Sequence, residues 1–230
     1  MQLLFLNLWN GKVADPLRTF LGNGDSFDVV CFQEFAGDGE SIVRATFPKY
    51  NLVSAEKHAG YKSNFSVATL VHPQYKIEKS VELLQSDDEV GLALALEIQD
   101  PNGRSITIVN VHGTARKREN GQFLDTDGKL DFPALLQYLE ERSDPKIIGG
   151  DFNMLPEAKS IQAFVKVGYR DLIREYAIPT TRNHFSWDRY PNSPYLFSDY
   201  VFTDSTVLIK SFSVPDVEVS DHLPMILEIE

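Results

Sequence analysis

One cysteine in 230 residues leaves no internal disulfide to build. Cys31 lies in the apolar run Asp28–Phe32 and reads as a small buried hydrophobe, which fits a reducing compartment. Long hydrophobic runs are absent too: none approaches the roughly 18 residues that a membrane-crossing helix needs. The N-terminal run Met1–Asn10 is apolar, but it has no basic lead and no small-residue cleavage site, and Asn7 interrupts it. It reads as a buried strand rather than a signal peptide, so the expected address is cytoplasmic. Basic residues are scarce, 22 Lys and Arg against 33 Asp and Glu, for a formal net charge of −11. Duplex binding depends on Lys and Arg neutralising phosphates, so strong generic affinity for duplex DNA is not expected. The acidic excess suits a site that collects divalent cations, although most of these carboxylates belong to solvated surface. Internal repeats, low-complexity tracts and linker-like composition shifts are missing, so one domain over residues 1–230 is expected. No protein partner is inferred.

What remains is ordinary globular composition, 43% hydrophobic and 24% charged. A chain of this length can bury a core without staples. Strand-like runs rich in Val, Ile, Leu and Phe recur at Leu3–Leu8, Asp28–Gln33, Ser66–Val71, Leu92–Ile98, Ile106–Val111, Lys146–Gly149, Tyr200–Phe202 and Met225–Ile229. Helical patterns fall at Asp15–Leu21, Ser41–Thr46, Asp131–Arg142 and Lys159–Val167, the third with Phe132, Leu135, Leu136 and Leu139 on one face. Helices alternating with strands argue for a layered α/β domain. Hairpin signals such as Asp100-Pro-Asn-Gly103 make its sheets mixed. The segment Pro179–Ser198 reads as a long irregular loop, a kind of segment that is more often functional than idle.

Several strands finish in polar residues that packing alone would not choose. The first contains Asn7, and the second runs into Gln33-Glu34. Others end in Asn110-Val-His112 and in Gly149-Gly-Asp-Phe-Asn153. Ser198-Asp199 opens another strand, and Ser220-Asp221-His222 precedes the last one. Singly, each has a plain explanation as a turn former or strand cap. Six in chain order at strand–loop boundaries point to a common site, because loops beyond strand ends are where α/β folds place ligands.

With Asn7, "CFQEF" at 31–35, "NVHG" at 110–113, "GGDFN" at 149–153, "SDYVF" at 198–202 and "SDHLP" at 220–224, the sequence resembles the endonuclease/exonuclease/phosphatase superfamily from residue 7 to 224. The resemblance implies a four-layer α/β/β/α sandwich, two mixed sheets packed face to face with helices outside. It also implies a metal site at one rim and hydrolysis of phosphate esters with Mg²⁺, for which Mn²⁺ can substitute.

That chemistry needs charge neutralised on the phosphoryl oxygens, a positioned water and help for the leaving group. Glu34, Asn7 and Asp221 are the expected metal ligands. A carboxylate at the end of a buried strand is costly unless coordinated or paired, and Mg²⁺ favours oxygen. Asp151 is expected to orient and deprotonate the attacking water. It is also expected to face solvent and substrate, and so to be dispensable for stability. Asn153, two residues on in an extended segment, would point the same way and donate to the phosphate. His222 would donate to a non-bridging oxygen, held in one tautomer by a carboxylate; the resemblance makes that carboxylate Asp199. His112 would be a second phosphate-facing imidazole able to assist the leaving oxygen. In the deoxyribonuclease branch this histidine pairs with a glutamate on an earlier strand. Here Tyr61–Ser66 offers Asn64 and no acid, so Asn64 is placed on the phosphate instead.

Substrate choice is expected from the loops. Arg116-Lys117-Arg118 follows His112 and could grip a second phosphate. Arg182, His184, Trp187, Arg189 and Tyr190 mix cations with aromatics, a mixture that suits stacking on single-stranded bases. Three readings stay open. The first is a phosphodiesterase on nucleic acid ends, single strands or nucleotide-like diesters. The second is a phosphatase or phospholipase-C-like enzyme on a small or lipid phosphate. The third is a binding module that keeps the fold without catalysis.

Overall fold

Alternation along the first two strands sets the layering. In β1 (Gln2–Asn7), Leu3 and Phe5 join one apolar cluster while Leu4 and Leu6 join another. In β2 (Val29–Gln33), Val29 and Cys31 divide from Val30 and Phe32 in the same way. A strand buried on both faces reads as an unbroken apolar run, which is why these two are plain in the sequence. The computed structural model describes residues 1–22, 24, 26–59, 63–85, 91–114, 132–189 and 196–230, the side chains at 58, 59, 63 and 64 excepted.

Between β1 and β2 come a single 3-10 turn, Trp9–Gly11, and α1 (Ala14–Leu21). The chain continues through α2 (Gly37–Thr46), β3 (Asn51–Ala59), β4 (Ser63–Val71), β5 (Lys76–Leu83), β6 (Leu92–Gln99) and β7 (Ser105–His112). Next are α3 (Pro133–Glu140), β8 (Lys146–Asp151), α4 (Lys159–Lys166), β9 (Arg170–Asp171) and α5 (Leu172–Glu175). It closes with α6 (His184–Arg189), β10 (Asp199–Thr203), β11 (Ile209–Ser213) and β12 (Met225–Ile229).

The strands form two six-stranded sheets, ordered β11-β12-β1-β2-β4-β3 and β5-β6-β7-β8-β10-β9. Both are mixed: β1 with β2 and β7 with β8 are parallel, the remaining neighbours antiparallel. Leu3, Phe5, Val29 and Cys31 of the first sheet share a cluster with Leu94, Leu96, Ile108 and Ile147 of the second. Leu17 and Leu21 of α1 and Ile42 and Val43 of α2 cover the other face of β1 and β2. Across the second sheet, Phe164 of α4 stacks on Phe202 of β10 with ring centroids 4.7 Å apart. The α/β/β/α layering expected from the sequence is the observed one. Among the described residues, no helix is long and apolar enough to cross a membrane.

Glycine explains how closely the sheets approach beside the site. A Cβ at Gly149 would fall 2.7 Å from ring carbons of Phe5 on the facing strand. Gly149→Ala is therefore expected to destabilise the protein by about 1–3 kcal/mol, the usual cost of overpacking a dense core. Urea unfolding followed by circular dichroism checks this, and an unshifted midpoint would mean that the sheets have slack there.

Some boundaries differ from the sequence reading. Strand β4 begins at Ser63 rather than Ser66, and β3, β5, β9 and β11 fall where the sequence pattern predicts no strand. The exposure of β5 alternates around mostly solvated positions, so its sequence (KIEKSVEL) carries little apolar signal. The stretch Pro179–Ser198, expected to be irregular, contains α6. Helix α3 starts at Pro133, where a proline is tolerated in the first turn; Asp131 lies outside the described residues.

Candidate active site

Register builds the site. His112 stands opposite Asp151 across the parallel β7–β8 pair, and Asp199 stands opposite Asp151 across the antiparallel β8–β10 pair. Residues paired in this way carry their Cβ atoms about 5 Å apart, so the three form a row at one end of the second sheet. In the first sheet Asn7 pairs with Gln33, and Glu34 follows directly. A buried amide pair ties the sheets together here. Gln33 Nε2 donates to Asn110 Oδ1 at 2.6 Å, and Asn110 Nδ2 donates to the carbonyls of Phe32 and Ala68, each at 3.0 Å.

Asp151 sits at the centre. Asn7 Nδ2 donates to its Oδ2 at 3.0 Å and reaches Glu34 Oε1 at 3.4 Å. The amide of Asn7 is fixed from behind, its Oδ1 accepting the Trp9 backbone N–H at 2.9 Å. Asn10 Nδ2 donates to Glu34 Oε2 at 2.8 Å. Asn153 grips Asp151 twice, from its backbone N–H to Oδ1 at 2.9 Å and from Nδ2 to Oδ2 at 3.1 Å. The expectation that Asp151 faces solvent is corrected, since it is 1% exposed. The extended geometry expected at Asn153 is corrected as well. Its φ is +53°, and asparagine tolerates this left-handed turn, which folds the amide back onto Asp151. Glu34 also has positive φ, +50°. Such backbone strain costs of order 1–3 kcal/mol per residue and clusters at functional sites.

His222 completes the centre. Its Nδ1 donates to Asp199 Oδ1 at 2.8 Å, and its Nε2 lies 3.6 Å from Asp151 Oδ2. Asp199 is held in turn by Ser198 Oγ, which donates to its Oδ2 at 2.7 Å. Burial and the Arg182 guanidinium both favour a neutral imidazole, but Asp199, Asp151 and Asp221 outweigh them and lift His222 to about 9. Burial raises the Asp151 carboxyl to about 6 against the pull of the His222 charge, and Asp199 adds to the rise. Burial would raise Asp199 too, yet His222 and Arg182 hold it below the ordinary carboxylate value. His112 behaves oppositely to His222: burial pushes it down to about 4, although the charges of Glu34 and Asp199 resist. It is neutral at pH 7, with Nε2 3.9 Å from Asp151 Oδ2. No hydrogen-bond partner meets His112 Nδ1 among the described residues.

The expected residues thus meet in one place, in two groups that share Asp151. Asn7, Glu34 and Asn153 gather on one side, and His112, Asp199 and His222 on the other. Asp221 belongs to the histidine side. Its Oδ2 accepts from Arg182 at 2.9 Å, and its Oδ1 lies 3.8 Å from His222 Nε2. Arg182, expected at the substrate, is buried, and its guanidinium also donates to Ser186 Oγ and Ser198 Oγ and contacts the His222 ring. Arg116 and Lys117 lie outside the described residues, as does the side chain of Asn64. Sequence reasoning passed over Asn10, although Asn10-Gly11 is a left-handed turn signal beside Asn7. It also passed over Thr181, whose hydroxyl accepts the backbone N–H groups of both Ser198 and Asp199 at 3.2 Å; nothing in the local pattern marks it.

Asp151, Asp199 and His222 each offer an atom within 4.8 Å of the others, a spacing that could suit a metal ion. A metal ligand must be deprotonated, however, and the Asp199 contact favours a protonated His222. The oxygen-rich side fits a hard cation better: Glu34 and Asp151 are bridged by one neutral amide, Asn7, and Asn10 and Asn153, which also donate to them, are neutral groups too.

The Endonuclease/Exonuclease/phosphatase family pattern matches residues 4–222. No curated protein sequence matches the chain. Among solved structures, an endonuclease/exonuclease/phosphatase from Bacteroides vulgatus superposes with a TM-score of 0.75 at 18% identity, covering 100% of this chain and 98% of that one. The mannosyl-6-phosphatase Bt3783 of Bacteroides thetaiotaomicron gives 0.72 at 20% identity, with 100% and 99% covered. D. rerio TDP2 complexed with a single-strand DNA product gives 0.70 at 16% identity, with 100% and 98% covered. At these identities the likeness is one of fold. The family match spans nearly the whole chain and every strand end that builds the site, and the chain belongs to the endonuclease/exonuclease/phosphatase family.

Proposed function

We propose that the chain is a Mg²⁺-dependent phosphodiesterase, acting on nucleic acid ends, single strands or nucleotide-like diesters by in-line attack of water. Members of the family are phosphoesterases that generally depend on a divalent metal. The observation that carries the reading is the convergence on one buried carboxylate, Asp151, of the Asn7 and Asn153 amides at 3.0 and 3.1 Å and of the His222 and His112 imidazoles at 3.6 and 3.9 Å. A carboxylate fixed at that point can orient a water and accept its proton. Asn7, Glu34 and Asp151 would hold the cation, which neutralises charge on the phosphoryl oxygens when bound. Asn153 and Asn7 fix the Asp151 carboxylate so that it need not reorient during the reaction. His222, kept protonated and in one orientation by Asp199, donates to a phosphoryl oxygen as negative charge develops there. His112 is neutral and offers a hydrogen bond rather than a full proton to the leaving oxygen.

A second reading, a phosphatase on a small phosphate, draws on the likeness to the mannosyl-6-phosphatase. The two readings share the same catalytic groups and divide on the substrate. Excess EDTA is expected to abolish hydrolysis of bis-p-nitrophenyl phosphate, and added Mg²⁺ or Mn²⁺ to restore it. Full turnover in chelator would remove the metal from the proposal. With Mg²⁺, activity on single-stranded oligonucleotides but not on mannose 6-phosphate supports the diesterase, and the reverse pattern supports the phosphatase.

A further inference from the structure

Beside Asn7, outside the catalytic groups, lies a cluster of a different chemistry. Trp9 is half-buried, and two cations sit over its indole, Lys12 Nζ at 4.4 Å and Arg189 Cζ at 5.2 Å from the ring centroid. Phe185 packs against it with centroids 6.1 Å apart. Lys12 and Arg189 are exposed, and neither forms an ion pair among the described residues. Other exposed cations, Lys49 and Lys166 among them, also lack an ion pair among the described residues; what sets Lys12 and Arg189 apart is that both lie over one indole. Each long side chain is instead parked on an aromatic face, a weak arrangement at an exposed site and readily exchanged for an anion.

The cluster is anchored to both halves of the site. Trp9 is fixed by its backbone N–H on Asn7 Oδ1 at 2.9 Å. Phe185 and Arg189 belong to α6, directly after Arg182, which holds Asp221 at 2.9 Å, and Asn183, whose Nδ2 donates to the Ser220 carbonyl at 2.7 Å. A ligand resting on the indole is thereby held in fixed relation to Asp151 and His222.

We infer that this rim is a second subsite, which takes the nucleotide next to the scissile phosphodiester, its base on Trp9 and Phe185 and its phosphate between Lys12 and Arg189. The inference rests on the phosphodiesterase reading and narrows it to unpaired substrates, because a base inside a duplex cannot lie on a protein ring. Stacking tolerates any base, so the subsite confers preference for single strands without sequence choice.

The test uses the Asp151→Asn protein in EDTA, which separates binding from turnover, and a fluorescein-labelled single-stranded pentanucleotide read by anisotropy. The double variant Lys12→Glu/Arg189→Glu is expected to weaken binding by at least 30-fold. The milder Lys12→Gln/Arg189→Gln is expected to flatten the dependence of log K on log salt by about 0.7, the slope of one single-strand phosphate contact, because the two cations share one phosphate. Trp9→Phe is expected to weaken the normal oligonucleotide more than one that is abasic beside the labelled end. In the enzyme with Asp151 intact, the ratio of kcat/KM for the pentanucleotide to that for bis-p-nitrophenyl phosphate should fall at least 10-fold in the charge-reversed variant. Unchanged affinity and slope in variants with native circular dichroism would overturn the subsite, as would an equal fall on both substrates. An effect seen only with mannose 6-phosphate as competitor would overturn it in favour of a sugar phosphate. Loss of all diester hydrolysis by the wild type would instead remove the phosphodiesterase reading, while the anisotropy measurements still decide the subsite.

Discussion

Asp151→Asn is expected to lower kcat by about a thousandfold or more, within the range that general-base catalysis contributes, with a smaller change in KM. The substitution keeps the shape of the side chain and lets its one oxygen accept from Asn153, while the NH₂ replaces an oxygen that was an acceptor and the acceptor of the water proton is removed. Stability should move the other way. Burial lifts the carboxyl to about 6, so the ionised form is one that the fold disfavours. The melting temperature of the metal-free variant at pH 7 is therefore expected to equal or exceed that of the wild type. Turnover within about tenfold of wild type would remove Asp151 from the mechanism. A clear drop in melting temperature would mean that the contacts with Asn7, Asn153 and His222 outweigh the cost of burying the charge.

Asp199→Asn should cost nearly as much activity, through geometry rather than proton transfer. The carboxylate receives the His222 Nδ1–H at 2.8 Å and is the leading attractive charge that lifts this imidazole to about 9. An amide there can present its NH₂ to Nδ1 and so move the ring proton to the wrong nitrogen. Loss of an orienting aspartate in the Ser-His-Asp template lowers kcat by about 10⁴, and a loss of about 10²–10⁴ is expected here. The same change alters the pH profile of stability. A folded-state value of about 9 against the ordinary 6.5 means that the native protein keeps a proton the unfolded chain has already released. The resulting stability is complete below 6.5 and disappears as pH rises through about 9. In Asp199→Asn the His222 titration should move down and this alkaline decline should shrink. Imidazole resonances followed by NMR and melting curves between pH 6 and 10 give the two readouts, and an unmoved His222 titration would count against the pairing.

The sequence exposed those parts of the molecule whose cause is local or periodic. Strands β1 and β2 are legible because burial on both faces demands apolar residues at every position. Glu34, Asp151, Asp199 and His222 are legible because each is a titratable group beside a buried strand, where packing gives no reason for one. Strand β5 is not legible, since an edge strand with most positions solvated can be built from almost any residues. Helix α6 is a single short piece inside a loop rich in turn formers. Arg182 looked like a surface cation available to substrate, and only the folded chain shows Asp221, Ser186 and Ser198 around its guanidinium. The left-handed backbone at Asn153 is likewise a product of tertiary constraint, for an extended chain through Gly-Asp-Phe-Asn fits the sequence equally well.

Division of the site between two sheets has a further consequence. Asn7 and Glu34 ride on one leaf and His112, Asp151 and Asp199 on the other, and the Gln33–Asn110 amide contact is a clasp between them. Each leaf can retain its own ladder of backbone hydrogen bonds while the two slide by an ångström or so. A misplacement of that size is enough to dismantle a phosphoryl-transfer geometry. On heating, catalysis should therefore fail several degrees before far-ultraviolet dichroism registers any loss of strands, which makes enzymatic rate the finer gauge of how firmly the leaves are clasped.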